Sequence, residues 1–258
     1  MSEEQQTGIQ PPANDGANQG SGQNQLPPLY NNLVPLNPSQ HANLSFRPTG
    51  DFKFARDLNA VPVMAEEFPL AQRNYPIMFT TGKVVQPLAI LGLREGENMF
   101  VNDKGEWQEN AYIPAYVRRY PFLLARLRPD DDRLSLCIDD TAPGVSNNGE
   151  DKLFNGNEPT ELTNNVLKFC EQFDVAGART RAFCEKMTEM KLFEEGEAVL
   201  QGPDKPIRFT GLTSISEKAL RELKDEQILE LTKQNYLPII HAQLFSLSAM
   251  RGLITHQG

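Results

Sequence analysis

The chain has 258 residues and a formal net charge of -9 at pH 7. An acidic chain repels phosphate backbones, so we expect no nucleic-acid partner. The first 28 residues contain no aromatic side chain and are rich in Gln, Asn, Gly and Pro. Such a segment buries too little apolar surface to offset the entropy of ordering it. We therefore predict a disordered tail over residues 1–28 and a single folded domain over residues 29–258.

The N-terminal half has the pattern of a β-sheet. A proline-rich segment, residues 29–38, is expected to lie on the body as an extended arm. Short segments rich in apolar residues predict strands over residues 75–80, 87–93, 99–101 and 134–138. The turn at residues 102–105 connects neighbouring strands closely, which favours an antiparallel or mixed sheet. We also expect Trp107, which follows this turn, to be buried against the sheet.

The C-terminal half has the spacing of helices. Residues 142–158 are rich in Gly, Asn, Asp and Pro and predict a loop. Apolar residues at helical spacing then predict helices over residues 159–173 and 178–193. A capping box at residues 214–217 predicts a helix that continues to about residue 223, and another helix is expected over residues 225–233. Pro238 suits the first turn of a last helix. The predicted fold class is therefore α+β, with a largely antiparallel or mixed sheet from the N-terminal half packed with C-terminal helices.

Our predictions of cellular location and cofactors rest mainly on sequence motifs that the chain lacks. The N-terminus lacks a signal-peptide pattern, and no run approaches the ~18 apolar residues of a membrane span. The three cysteines form no CxxC pair and argue against a disulfide framework or a thiolate zinc site. We expect a cytoplasmic protein without a membrane span, with buried and reduced cysteines, and without a metal or cofactor. The oligomeric state stays open.

Residues 112–128 are the densest candidate binding segment, with four arginines, several aromatic residues and no acid. Arg and Tyr dominate interaction hot spots, and a guanidinium group suits carboxylate or phosphate ligands. The candidate binding residues are Tyr112, Tyr116, Arg118, Arg119, Tyr120 and Asp139. A structural interpretation stays open, in which the two adjacent arginines pair with nearby acids, namely Glu66, Glu67, Asp139 or Asp140.

The two adjacent arginines are expected to have different environments. Pro114 and Pro121 bracket them closely, which favours an extended or turn geometry over a helix. Successive side chains of an extended segment leave on opposite faces. One of Arg118 and Arg119 should therefore point inward and the other outward.

Several of these segments together resemble the SapC family, which is named from bacterial surface-layer protein genes. The most specific is Tyr112-Ile-Pro-Ala-Tyr-Val-Arg-Arg-Tyr-Pro-Phe122, and others are Pro87-Leu-Ala-Ile-Leu-Gly-Leu93 and Leu237-Pro-Ile-Ile-His-Ala-Gln-Leu-Phe-Ser-Leu247. The resemblance extends from about residue 29 to residue 254. It implies an association with surface-layer protein secretion in some bacteria, and it implies no catalytic residues.

Two function hypotheses follow. The first is a non-enzymatic cytoplasmic accessory protein that binds a protein or peptide partner and is linked to surface-layer or envelope protein export. The second is a small-molecule- or peptide-modifying enzyme, in which Arg118 or Arg119 binds an anionic substrate and Asp139 acts as a base. The chain has no G-x-S-x-G or P-loop motif. A deep pocket at these residues would favour the enzyme, and an aromatic-rimmed surface would favour the binding protein.

Overall fold

The computed structural model describes residues 26–128, 130, 132–195, 198–201, 206–209 and 211–255. The predicted tail lies outside the described residues, apart from its last three. The chain forms antiparallel sheets in which strands from both halves of the sequence take part. In chain order the strands are β1 (Leu33–Pro35), β2 (Leu44–Phe46), β3 (Ala60–Pro62), β4 (Ile77–Thr80), β5 (Pro87–Ile90), β6 (Phe122–Arg126), β7 (Leu134–Asp139), β8 (Val145–Asn147), β9 (Phe154–Asn155), β10 (Glu158–Pro159), β11 (Phe193–Glu195), β12 (Ala198–Gln201), β13 (Pro206–Phe209) and β14 (Leu212–Ile215).

The helices lie mostly in the second half of the chain. They are α1 (Pro38–His41), α2 (Phe68–Ala71), α3 (Ala115–Arg119), α4 (Glu161–Glu189), α5 (Glu217–Arg221), α6 (Asp225–Lys233), α7 (Leu237–Ser246) and α8 (Met250–Thr255). Together with the antiparallel sheets they confirm the predicted α+β class.

The largest sheet has the strand order β11-β14-β4-β5-β3 and forms the centre of the main core. Every residue of β5 is buried, as its continuous apolar sequence predicts. A second sheet has the order β1-β7-β6, so the arm at residues 29–38 adds a strand to the body, as predicted. Helix α4 contributes side chains to the cores at both sheets.

Helix α7 is joined to the main sheet by polar side chains. The Gln243 side-chain amide donates to the Ile77 carbonyl at 2.9 Å, and the Ser246 hydroxyl accepts from the Ile77 N–H at 2.9 Å. By length and composition alone, the stretch Leu237–Ile254 could cross a membrane, and 33% of it is buried within the protein. The contacts to Ile77 are those expected of a helix that packs on a protein core.

Helix α4 differs from the prediction of two helices, because it is continuous over 29 residues. Gly177 lies in its middle and costs only about 1 kcal/mol there relative to Ala. Packing on both sides of this glycine offsets that cost: Ala176 is buried, and the Thr180 hydroxyl accepts from the Ala65 N–H at 2.9 Å. The helix ends before the predicted residue 193, and the chain reverses at Lys191, which has a φ of 55°.

Three smaller predictions are also corrected. The predicted loop at residues 142–158 contains β8 and β9 and leads into β10. The predicted strand at residues 99–101 is reduced to one bridge between Val101 and Trp107. Ser214, the predicted cap of helix α5, belongs to strand β14. The cap is instead Ser216, whose hydroxyl accepts from the Ala219 N–H. Trp107 is buried, as predicted, and its indole N–H donates to the Tyr75 hydroxyl at 3.2 Å.

Candidate functional site

The two adjacent arginines are the last two residues of helix α3, so the predicted extended or turn geometry is wrong. Pro114 precedes the helix, and its carbonyl accepts from the N–H groups of Val117 and Arg118 at 3.0 Å each. A proline before the first helical residue removes no hydrogen bond that the helix needs. The interval between the two prolines is therefore long enough for one helical turn. Successive helical residues are about 100° apart, which still separates the two side chains.

Arg119 is the inward arginine, and its residue is only 4% exposed. The guanidinium carbon lies 4.2 Å from the ring centre of Phe173 and 5.4 Å from that of Tyr116. Phe173 belongs to α4 and Tyr116 to α3, so the guanidinium group is stacked between the two helices. Such stacking on aromatic rings is a favourable contact for a desolvated guanidinium. Arg119 therefore has a structural position at the α3–α4 contact.

Arg118 is the outward arginine, and its side chain is fixed despite being exposed. Its Nε donates to the Ile113 carbonyl at 3.0 Å, and its Nη2 donates to the Tyr112 hydroxyl at 3.1 Å. The guanidinium carbon lies 5.6 Å from the ring centre of Tyr112 and 5.3 Å from that of Phe169 in α4. We call the exposed region formed by Tyr112, Arg118 and Phe169 the Arg118 surface.

A buried carboxylate supports the Arg118 surface from below. Glu67 is 8% exposed and accepts from the N–H groups of Met64 and Ala115 at 2.8 and 2.7 Å. It also accepts from the Tyr112 hydroxyl at 2.7 Å. Desolvation, followed by the nearby Glu67 charge, raises the pKa of Tyr112 to about 12. The phenol therefore stays protonated at neutral pH, and it donates to Glu67 while it accepts from Arg118.

Asp139 lies in the interior, where it joins the arm to β7. Its carboxylate accepts from the N–H groups of Asn31 and Asn32 at 2.7 and 3.3 Å. It also accepts from the Thr141 N–H at 3.0 Å, the Thr141 hydroxyl at 2.6 Å and the Tyr120 hydroxyl at 3.4 Å. Because hydrogen-bond donors already surround this carboxylate, it is suited to holding the arm against β7 and is poorly placed to remove a proton from a substrate.

The two remaining candidate tyrosines are also buried. Tyr116 is fully buried, and its hydroxyl donates to the Pro28 carbonyl at 2.8 Å. Tyr120 is stacked on Phe54 with ring centres 4.4 Å apart. The structure therefore divides the six candidate residues: Tyr112 and Arg118 reach the surface, whereas Tyr116, Arg119, Tyr120 and Asp139 lie inside.

The acids that the sequence offered as arginine partners have other described contacts. Glu66 pairs with Arg179 at 2.6 Å, and Asp140 accepts from the Asn32 side chain at 2.7 Å. Glu67 contacts Arg118 only through Tyr112, as described above. Arg118 is therefore held by a carbonyl, a phenol and two rings, which leaves part of its guanidinium group turned toward solvent.

Two surface cavities in the described part of the chain lie away from the Arg118 surface. One of about 250 Å³ is lined by residues of α5 and α7, among them Leu220 and Phe245. Another of about 430 Å³ lies at the end of the β6–β7 hairpin, beside Leu127 and Leu134. Neither is lined by any of the six candidate residues. The Arg118 surface is thus a side-chain cluster outside both cavities.

Metal and thiol chemistry have little support in the described residues. Among them, no group of three or more His, Cys, Asp or Glu side chains is close enough to hold a metal ion. The cysteines are buried, as predicted, and desolvation raises the pKa of Cys137 to about 11 and those of Cys170 and Cys184 to about 12. Protonated, buried thiols are poor nucleophiles at neutral pH.

Two residues of the site were missed in the sequence. Phe169 has the spacing of a core residue on the apolar face of α4, and nothing in the sequence pairs it with Arg118. Glu67 was considered only as a direct partner for arginine. Phe169 lies four residues before Phe173, so both rings are on the same face of α4. In the structure Arg118 contacts the first ring and Arg119 the second, and this spacing is the sequence signal that could have indicated Phe169.

The fold and this surface define an α+β protein with an anchored, exposed arginine between two aromatic rings. The family model described as SapC matches residues 36–253. The chain therefore belongs to the SapC family. A comparison with curated proteins and one with solved structures each returned no match.

Proposed function

We propose that this chain is a non-enzymatic accessory protein that binds a protein or peptide partner through the Arg118 surface. The observation that carries the proposal is that Arg118 is exposed and yet makes two hydrogen bonds within the protein. Exposed arginines usually lose rotamer freedom when they bind a partner, at a cost of about 0.5–1.5 kcal/mol per immobilised side chain. Arg118 is already held by Ile113 and Tyr112, so much of this cost has been met before binding.

The composition of the surface also supports a binding role. Arg and Tyr are enriched among residues that dominate interface energies, and aromatic residues are enriched at interfaces generally. Tyr112 and Phe169 are half-buried, so each presents part of its ring while the rest packs against the body. A half-buried ring loses little conformational freedom when a partner covers it.

The rival hypothesis, an enzyme with Asp139 as base, has weaker support. Asp139 is 0% exposed, and its oxygens already accept hydrogen bonds from the arm and from Thr141. A general base must be within hydrogen-bond reach of a substrate proton. Arg118 is on the surface and Asp139 is enclosed, so a substrate at Arg118 would not reach the carboxylate without displacement of the arm.

The cellular setting belongs to the same proposal. We propose a cytoplasmic protein that assists the export of surface-layer or envelope proteins, on the basis of membership in the SapC family. The export step itself requires membrane machinery, and this chain would act on a partner before or during that step.

Site-specific crosslinking in cells that normally express the protein tests the proposal. A photo-crosslinking phenylalanine analogue replaces Phe169, and a matched control places it at Leu229, which is exposed on α6. We expect a discrete crosslinked protein at position 169 that is absent at position 229 and is lost when Arg118→Ala is added. No discrete adduct at 169, or one that Arg118→Ala leaves unchanged, would contradict the proposed function.

A further inference from the structure

We infer that the group recognised by the Arg118 surface is a peptide carboxylate that lies beside an apolar or aromatic side chain. This inference rests on the proposed function and specifies the chemistry of its ligand. The carboxylate belongs either to an Asp or Glu side chain or to a chain terminus.

The first step concerns the free donors of Arg118. A guanidinium group has five N–H donors, arranged as a planar fork. Within the described part of the chain, one of these donates to the Ile113 carbonyl and one to the Tyr112 hydroxyl. The two terminal nitrogens together retain three further N–H groups. One from each nitrogen suffices for the end-on, two-bond contact that matches a carboxylate.

The second step concerns orientation. Tyr112 is fixed at both ends: its N–H donates to the Asn74 side chain at 3.0 Å, and its hydroxyl donates to Glu67 at 2.7 Å. Glu67 in turn is held by backbone N–H groups of two separate segments. The phenol oxygen therefore has a defined position from which it accepts from Arg118. The guanidinium plane is set before a ligand arrives.

The third step concerns charge. The buried Glu67 carboxylate lies directly behind Tyr112 and partly offsets the positive charge of Arg118. A phosphate at neutral pH carries about two negative charges and typically needs several cationic or N–H donors. A single, partly compensated guanidinium group suits the single charge of a carboxylate better. This selects a carboxylate over a phosphate.

The fourth step concerns the neighbouring residue of the ligand. The ring centres of Tyr112 and Phe169 lie 5.6 and 5.3 Å from the guanidinium carbon of Arg118. An apolar or aromatic side chain next to the carboxylate would cover these rings and exclude water from the ionic contact. Removing water in this way strengthens a charged hydrogen bond.

Randomised peptide pools with the full chain test the inference. The randomised positions exclude Asp and Glu in all three pools. One pool of hexapeptides ends in Phe with a free carboxylate, a second is identical but amidated, and a third is amidated with one fixed internal Glu beside Phe. We expect the full chain to retain the first or the third pool at least about tenfold over the second, according to the source of the carboxylate. Arg118→Lys should abolish this preference, because an ammonium group lacks the planar fork.

The outcomes separate the inference from the proposed function. Equal retention of all three pools, no retention of any, or a preference that survives in Arg118→Lys overturns the carboxylate inference. If the crosslink at position 169 still depends on Arg118, the proposed function stands and only the ligand chemistry is wrong. Thermal melting of Arg118→Lys beside the wild type verifies that the variant is folded.

Discussion

Truncating Arg119 to alanine is expected to destabilise the protein far more than truncating its neighbour. Arg119 is 4% exposed, and its guanidinium group is stacked between Phe173 and Tyr116. Removing a long buried side chain typically costs about 2–5 kcal/mol when the cavity cannot collapse. The lost stacking belongs to this cost, at about 1–2 kcal/mol for a desolvated cation on a ring. Part of this loss is offset, because Arg119→Ala also removes the free-energy cost of keeping a charged group away from water. We expect a net loss of roughly 3 kcal/mol.

The matched control is Arg118→Ala, one residue away. Arg118 is exposed, and exposed arginine contacts contribute about 1 kcal/mol or less to folding. In a protein of this size, 1 kcal/mol shifts the melting temperature by about 2–4 °C. Arg119→Ala should therefore lower it by roughly 6–12 °C and Arg118→Ala by no more than about 4 °C. Urea unfolding monitored by circular dichroism gives the two free energies directly.

A third variant separates packing from charge at this position. Arg119→Met retains the length of the side chain and loses the guanidinium group, so we expect a loss between those of the two alanine variants. Losses for Arg119→Ala and Arg118→Ala that agree within about 0.5 kcal/mol, the usual range of surface substitutions, would refute the assignment of Arg119 to the interior.

The remaining predictions use other matched pairs and pH. Asp139→Asn turns an amide toward the donors of the arm and should cost about 3–5 kcal/mol and expose the arm to proteases, whereas the exposed neighbour Asp140→Asn should cost under about 1 kcal/mol. Gly92→Ala would place a methyl group 1.9 Å from the Glu97 carbonyl oxygen and should lower the melting temperature, whereas Gly252→Ala in α8 has open space and should be neutral or stabilising. Burial raises the pKa of the three cysteine thiols from about 9 to about 11 or 12, so the unfolded chain releases these protons first as pH rises. The free energy of unfolding should fall by up to about 1.4 kcal/mol per thiol per pH unit above pH 9, and a flat profile between pH 8 and 10.5 would contradict this.

Elements set by local patterns were predictable from the sequence. The predicted helix over residues 225–233 has those bounds in the structure, and β5 lies within the apolar run that predicted it. Both depend on periodicity and flanking polar residues within a short window. The antiparallel arrangement followed from short turns, although the order of strands in the sheets did not.

Features that depend on distant segments were not predictable. The continuity of α4 through Gly177 depends on its packing against residues 64 and 65, more than a hundred positions earlier. A local pattern contains no information about that contact. Likewise, the sequence favoured one inward and one outward arginine, but only the position of α4 decides that Arg119 is the inward one.

The candidate site was predictable in part for the same reason. Tyr112 and Arg118 were found because Arg and Tyr cluster in one short segment. Glu67 and Phe169 lie about fifty residues away on either side, and they join the site only when the fold brings both next to residues 112–119. The burial of Tyr116 and Tyr120 has the same origin, since their contacts are with Pro28 and Phe54, which are distant in the sequence.

The most direct test of the central claim is quantitative capture of partners from the native cells by three forms of the full chain. These are the wild type, Arg118→Ala and Arg94→Ala, the last a control that removes an exposed arginine from a different loop. The account predicts a partner that wild type and Arg94→Ala retain equally and that Arg118→Ala retains about tenfold less, which corresponds to a loss of about 1.4 kcal/mol in binding free energy. Equal retention of every captured species by Arg118→Ala and the wild type would contradict it.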